Sequence, residues 1–202
     1  MPKIKPPTQI RNMSLIEHGI VKLVLGEKFP SRYRVWITNA CSEDDRAFVL
    51  PTSAITTVFS SVFGLPGLAV AYLASATNVG YLINVGSRYG DLVSSRERQR
   101  LLVHESVHVW QGYNDVFANS FFAEAMFCHV TQSEEAYKFA PGEEWSSYNP
   151  EQQAMIVQNW FLAGMPESGP LWPYIKENFR PKPPAETRCN DYEETMALTC
   201  KE

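Results

Sequence analysis

Residues 104–108 read His-Glu-Ser-Val-His, and the sequence around this HExxH segment points to a helix with little access to water. The run 96–111 contains no proline or glycine, and Ser94 with Glu97 three residues on makes a capping-box pattern at its start. Gly112 follows as a left-handed stop signal. Arg96, Arg98 and Arg100 keep the first half in water, whereas Leu101, Leu102, Val103, Val107, Val109 and Trp110 make the second half apolar nearly all round. Histidines four apart on a helix share one face, so both imidazoles reach a single metal ion. Glu105 is rotated about 100° from His104. Its carboxylate therefore sits beside such an ion rather than on it, where it can take a proton from water. Two histidines and a glutamate in an apolar setting are costly without partners, and an ion with its surrounding groups supplies them.

The chain has 202 residues, enough for one domain with a real core. Residues 1–10 read as a flexible proline- and lysine-bearing lead-in, 11–180 as the single folded domain, and 181–202 as a proline-rich tail. With 45% hydrophobic and 20% charged residues the composition is globular. A formal charge of −4 argues against nucleic acid as a partner. No secretory signal pattern opens the sequence. Cys41, Cys128, Cys189 and Cys200 lack CxxC spacing, so a zinc finger is not expected. They fit two disulfides or four free thiols equally.

Residues 47–87 carry no charge and no histidine. The part 54–76 is long enough to cross a bilayer. However, Gly64-Leu65-Pro66-Gly67 interrupts it, and five Ser and Thr residues between 53 and 61 dilute its apolarity. Two buried segments joined by a turn are the favoured reading, with a membrane-active hairpin as the alternative. Residues 79–85 read as a strand, and 32–38, alternating Tyr33, Val35 and Ile37 with polar neighbours, read as another. A further helix is expected over 116–131.

Catalytic zinc sites take three protein ligands and one open position. The HExxHxxGxxH extension needs glycine at 111 and histidine at 114, and Gln111 and Asn114 exclude it. Of the two other histidines, His18 and His129, the latter reads as an ordinary half-buried residue. Glu124, Glu134, Glu135, Glu143, Glu144 and Glu151 remain as carboxylates downstream. Asn149-Pro150-Glu151-Gln152 is a capped helix start, and an apolar helix follows to about Ala163. A glutamate there also suits the helix dipole without any metal. Spacing leaves Glu151 level with Glu124.

The pairing of Leu-Val-His104-Glu105-Ser-Val-His108-Val-Trp110-Gln111 with Tyr148-Asn149-Pro150-Glu151-Gln152-Gln153-Ala154 resembles a known family. It is similar to the zinc metallopeptidase-like domains found with bacterial type VI and related contractile secretion machinery, including Rhs- and Vgr-associated proteins. Tyr137-Lys138-Phe139 resembles the segment between the two family motifs. The likeness covers roughly 79–161 and implies Glu151 as third ligand of a gluzincin-like His-His-Glu site.

The expected fold is α+β, a small sheet on a helical zincin-like core. The expected chemistry is hydrolysis of a peptide or peptidoglycan-type amide with Zn²⁺, His104, His108 and Glu151 holding the ion and Glu105 acting as general base. Tyr148 and Tyr113, chosen for their nearness to the motifs, are candidate oxyanion donors. A secretion-system carrier and, for a toxin, a cognate immunity protein are the partners the resemblance implies. A non-catalytic zinc-binding module and a membrane-active effector working through 47–87 are the alternatives.

Overall fold

The computed structural model describes residues 8–39, 47–51, 80–114 and 134–180. Within them lie four strands, β1 (Ile10–Asn12), β2 (Val35–Thr38), β3 (Phe48–Pro51) and β4 (Tyr81–Asn84). Four helices accompany them: α1 (Leu15–Leu25), α2 (Arg96–Asn114), α3 (Pro150–Leu162) and α4 (Trp172–Phe179). The fold is α+β, and the sheet order is β1-β2-β4-β3. Only the central β2–β4 pair is parallel, with Val35 opposite Tyr81 and Thr38 opposite Asn84. The edge strands β1 and β3 are antiparallel to their neighbours.

β4 is buried at every position, which explains why its sequence shows no polar alternation. β2 alternates only at Trp36, and the expected strand start at Arg32 is instead a 3-10 turn over Arg32–Arg34. The lead-in is shorter than expected. The backbone N–H groups of Thr8 and Gln9 donate to Asn39 Oδ1 at 3.0 and 2.8 Å, and Ile10 already pairs with Thr38. Of the uncharged stretch, 47–51 supplies β3 and 80–87 supplies β4 and a short 3-10 turn. Its candidate membrane hairpin, the helix expected over 116–131, Glu124, His129, the four cysteines and the tail all lie outside the described residues. Among the described residues no helix is long and apolar enough to cross a membrane.

α1 is not anticipated above, although its start is written in the sequence. Ser14 Oγ accepts from Glu17 N at 3.2 Å and Glu17 Oε2 accepts from Ser14 N at 2.7 Å, a reciprocal capping box. Glu17 also receives both arms of the Arg11 guanidinium at 2.7 and 2.6 Å, which fastens β1 to the helix start. Burial pushes the Glu17 carboxyl up, but the bonds from Arg11 and Ser14 outweigh that and hold it below its ordinary value.

α2 and α3 form the main helix pair and run antiparallel. At one end, Arg96 donates to Phe161 O and its guanidinium lies 3.9 Å from the Phe161 ring centre. At the other, Gln111 donates to Pro150 O. Two details of α2 differ from expectation. Its first turn is capped by Ser95, whose Oγ accepts from Arg98 N at 3.3 Å, because Ser94 is drawn into a turn around Asp91 Oδ1. Gly112 does not stop the helix, which continues to Asn114. It serves for close approach: a Cβ there would stand 2.9 Å from Cε1 of Tyr81 on β4. The missing side chain lets the end of α2 settle onto the sheet.

Candidate metal centre

His104, Glu105 and His108 stand in the middle of α2, and Glu151 is the second residue of α3. The α3 start is fixed as the sequence implied. Asn149 Oδ1 accepts from Gln152 N at 2.9 Å, Gln152 Oε1 accepts from Asn149 N at 3.0 Å, and Pro150 occupies the first turn. This cap sets the direction in which the first turn of α3 presents its side chains, and the antiparallel packing brings that turn against α2.

The result is a cluster of three ligand atoms, one each from His104, His108 and Glu151, all within 4.8 Å of one another. Glu151 Oε2 lies 3.2 Å from His104 Nε2 and 3.5 Å from His108 Nε2. The two imidazoles meet edge to face with centres 5.1 Å apart. Glu151 and His108 are buried, and the His104 side chain is 12% exposed. Two imidazole nitrogens and one carboxylate oxygen, held this close, are a donor set suited to zinc and its neighbours among the divalent transition metals. The three residues fit an ion geometrically and chemically.

Electrostatics give the same picture. Burial by itself pushes the Glu151 carboxyl up, yet the hydrogen bonds and charges of His104 and His108 hold it well below the usual carboxylate range. Burial likewise pushes His108 down, but the bond and charge of Glu151, the charge of Glu105 and the bond to Gln111 raise it to about 9. The carboxylates of Glu151 and Glu105 concentrate negative charge at the cluster, which favours a cation there. Glu105 is buried next to this cluster and contributes to its field.

The tyrosine expectations fare differently. The Tyr148 hydroxyl donates to Ala140 O at 2.7 Å, accepts from Glu143 N at 3.2 Å and lies 3.2 Å from the Tyr174 hydroxyl. It is committed to holding the 140–143 turn against α4, so its expected oxyanion role is not supported by its placement. Tyr113 is at the surface, with the Arg34 guanidinium 5.5 Å from its ring centre. Among the described residues, Tyr137 is a tyrosine beside the cluster, its ring centre 6.5 Å from that of His104. It had been singled out only as part of the intervening segment. Gln111 and Gln153, read from the sequence only as parts of the two motifs, also stand behind His108; a glutamine inside an otherwise apolar helix is the signal that points to them.

Against known proteins, 73 residues, 35% of this chain, are 36% identical to part of the type VI secretion system spike protein VgrG2b of Pseudomonas aeruginosa. The matched region spans 7% of that protein's length. No protein-family model and no solved structure matches the chain.

Proposed function

We propose that this chain is a zinc-dependent hydrolase of an amide bond, delivered by a type VI-like secretion machine. The observation that carries the reading is the buried His104–His108–Glu151 cluster with Glu105 beside it on α2. Zinc held by these three residues supplies Lewis acidity toward a carbonyl and toward water. Glu105 is the group left to move protons: one residue past His104, it does not belong to the ligand cluster and so takes a proton from water and returns it to the leaving amine. A site that serves only to brace a fold has no use for such a base. The substrate class is a peptide or the peptide part of peptidoglycan. The likeness to part of a spike protein supports export on or with that apparatus, and a toxin so delivered is paired with an immunity protein in the producing cell.

The test is direct. Purified protein should contain close to one zinc per chain by elemental analysis, strongly reduced in His104→Ala and in His108→Ala. Glu105→Gln, nearly isosteric, should keep the fold and the zinc while lowering peptide hydrolysis by about a hundredfold or more. Full zinc in both histidine variants excludes the centre. Undiminished biological effect from Glu105→Gln excludes the hydrolase and leaves a binding module.

A further inference from the structure

A chain of side-chain amides runs behind His108, on the side away from Glu151. His108 Nδ1 lies 2.9 Å from Gln111 Oε1. Gln111 Nε2 donates to Pro150 O at 3.1 Å and to Gln153 Oε1 at 2.8 Å. Gln153 Nε2 in turn donates to Trp145 O at 3.0 Å and Tyr148 O at 3.2 Å. The two ends of a glutamine amide differ only by which atom is nitrogen, so its orientation must come from its partners. Here the partners decide it. Trp145 O, Tyr148 O and Pro150 O are backbone carbonyls and can only accept. Gln153 must therefore turn its NH₂ toward Trp145 and Tyr148 and its oxygen toward Gln111. Gln111 must turn its NH₂ toward Pro150 and Gln153, which leaves its oxygen facing His108.

We propose that Gln153 and Gln111 form a one-way amide relay that holds His108 as the Nδ1–H tautomer and aims its Nε2 at the ligand cluster. Both are positioning residues: neither belongs to the cluster, and each acts through His108. An oxygen fixed opposite Nδ1 requires a proton there, and a neutral imidazole protonated at Nδ1 has its lone pair on Nε2. Ligand histidines generally have the far nitrogen held in this way, and loss of the holding group weakens metal binding. The relay is anchored on the first turn of α3 and the residues just before it, so the element that presents Glu151 also sets the tautomer of His108. A shift of α3 would disturb two of the three ligands together. No second group among the described residues does the same for His104, whose Nδ1 is buried without a hydrogen-bond partner there.

The inference rests on the metal reading above, and the experiment separates the two. Wild-type protein labelled with ¹⁵N-histidine and loaded with zinc is examined by long-range ¹H–¹⁵N spectra. His108 should show a protonated Nδ1 and a metal-bound Nε2. Zinc bound through His108 Nδ1 overturns the relay while leaving the metal centre standing. A chain that takes up no zinc overturns both. Variants then test the cause. Gln111→Met keeps the volume but offers no oxygen, and should weaken zinc binding about 10- to 100-fold. Gln111→Glu keeps an acceptor opposite Nδ1 but sets its second oxygen against the acceptors Pro150 O and Gln153 Oε1, so it should keep the His108 Nδ1–H tautomer and bind zinc more weakly than wild type but more tightly than Gln111→Met. Equal weakening in both variants, with the His108 tautomer unchanged, shows packing alone and overturns the relay.

Discussion

Two helical glycines should answer the same substitution with opposite signs. Replacing glycine by alanine inside a helix stabilises by roughly 0.5–1 kcal/mol, because the unfolded chain loses freedom and the helix gains propensity. Gly19 in α1 is exposed, and a Cβ added there meets nothing within 4 Å. Gly19→Ala should therefore deliver the whole gain. Gly112 in α2 carries the same propensity term, but its added Cβ would lie 2.9 Å from Tyr81 Cε1 and 3.1 Å from the Tyr81 hydroxyl. Tyr81 is buried on the central strand β4, so the ring or the helix end must move. Overpacking of this kind costs about 1–3 kcal/mol. Set against the propensity gain, it leaves Gly112→Ala between about 0 and 2.5 kcal/mol less stable than wild type, and so well below Gly19→Ala. Urea unfolding of the three proteins, with fixed metal content, reads both numbers on one scale. A domain of this size should show Tm shifts of about 2–4 °C per kcal/mol, upward for Gly19→Ala and downward for Gly112→Ala. If Gly112→Ala proves as stabilising as Gly19→Ala, the close approach of α2 to β4 is not what seats the helix.

Three further outcomes follow from the structure. Because Glu17 is held below its ordinary value, its stabilising effect is present above about pH 4.5 and lost as pH falls through the lower folded value. Glu17→Gln should flatten the acid limb of the stability profile and cost about 2–3 kcal/mol at pH 7 by loss of charge-assisted bonds; an unchanged acid limb by chemical denaturation refutes this. Because His108 is raised to about 9 in the ion-free protein, a metal ion must displace a proton below that pH. Zinc binding at pH 7 should release close to one proton, read by calorimetry in two buffers of different ionisation heat, and zero release contradicts the assignment. Tyr148→Phe removes the hydroxyl that ties Ala140, Glu143 and Tyr174 together, and should lower stability by about 1 kcal/mol while leaving zinc affinity intact. A large loss of peptide hydrolysis from Tyr148→Phe, with fold and zinc intact, would restore its oxyanion role.

The parts of this fold legible in the sequence are those where local signals and burial agree. The HExxH helix, the Asn149–Gln152 cap and the apolar β4 each carry several signals at once, and each appears near its expected place. α1 was missed because its hydrophobic pattern is poor, with Leu15, Ile16 and Leu23 exposed, even though Ser14 and Glu17 spell a capping box. Gly112 was misread because a glycine needed for close packing looks the same in sequence as one needed for a left-handed turn. The choice of Ser95 over Ser94 as cap turned on Asp91, whose hold on Ser94 no helix pattern records. At the cluster, the two histidines came from spacing alone, whereas Glu151 needed either a family likeness or the packing of α3 on α2. The Tyr148 hydroxyl is bonded to Ala140, Glu143 and Tyr174, which its place in the sequence does not record. Nearness in sequence to a ligand says nothing about which way a hydroxyl points.

His104 and Glu151 stand 47 residues apart in the chain, on helices that otherwise meet through side-chain packing and a few hydrogen bonds. An ion seated between them would be a cross-link. Closing a loop of that length removes conformational freedom from the unfolded chain worth about 4 kcal/mol in the chain-entropy description, beyond whatever the ion contributes to chemistry. Such a clasp can be opened by a chelator and shut again by the ion, unlike a disulfide. Resistance to proteases would then track the supply of metal, and the same chain would be stiff in one compartment and easily unravelled in another.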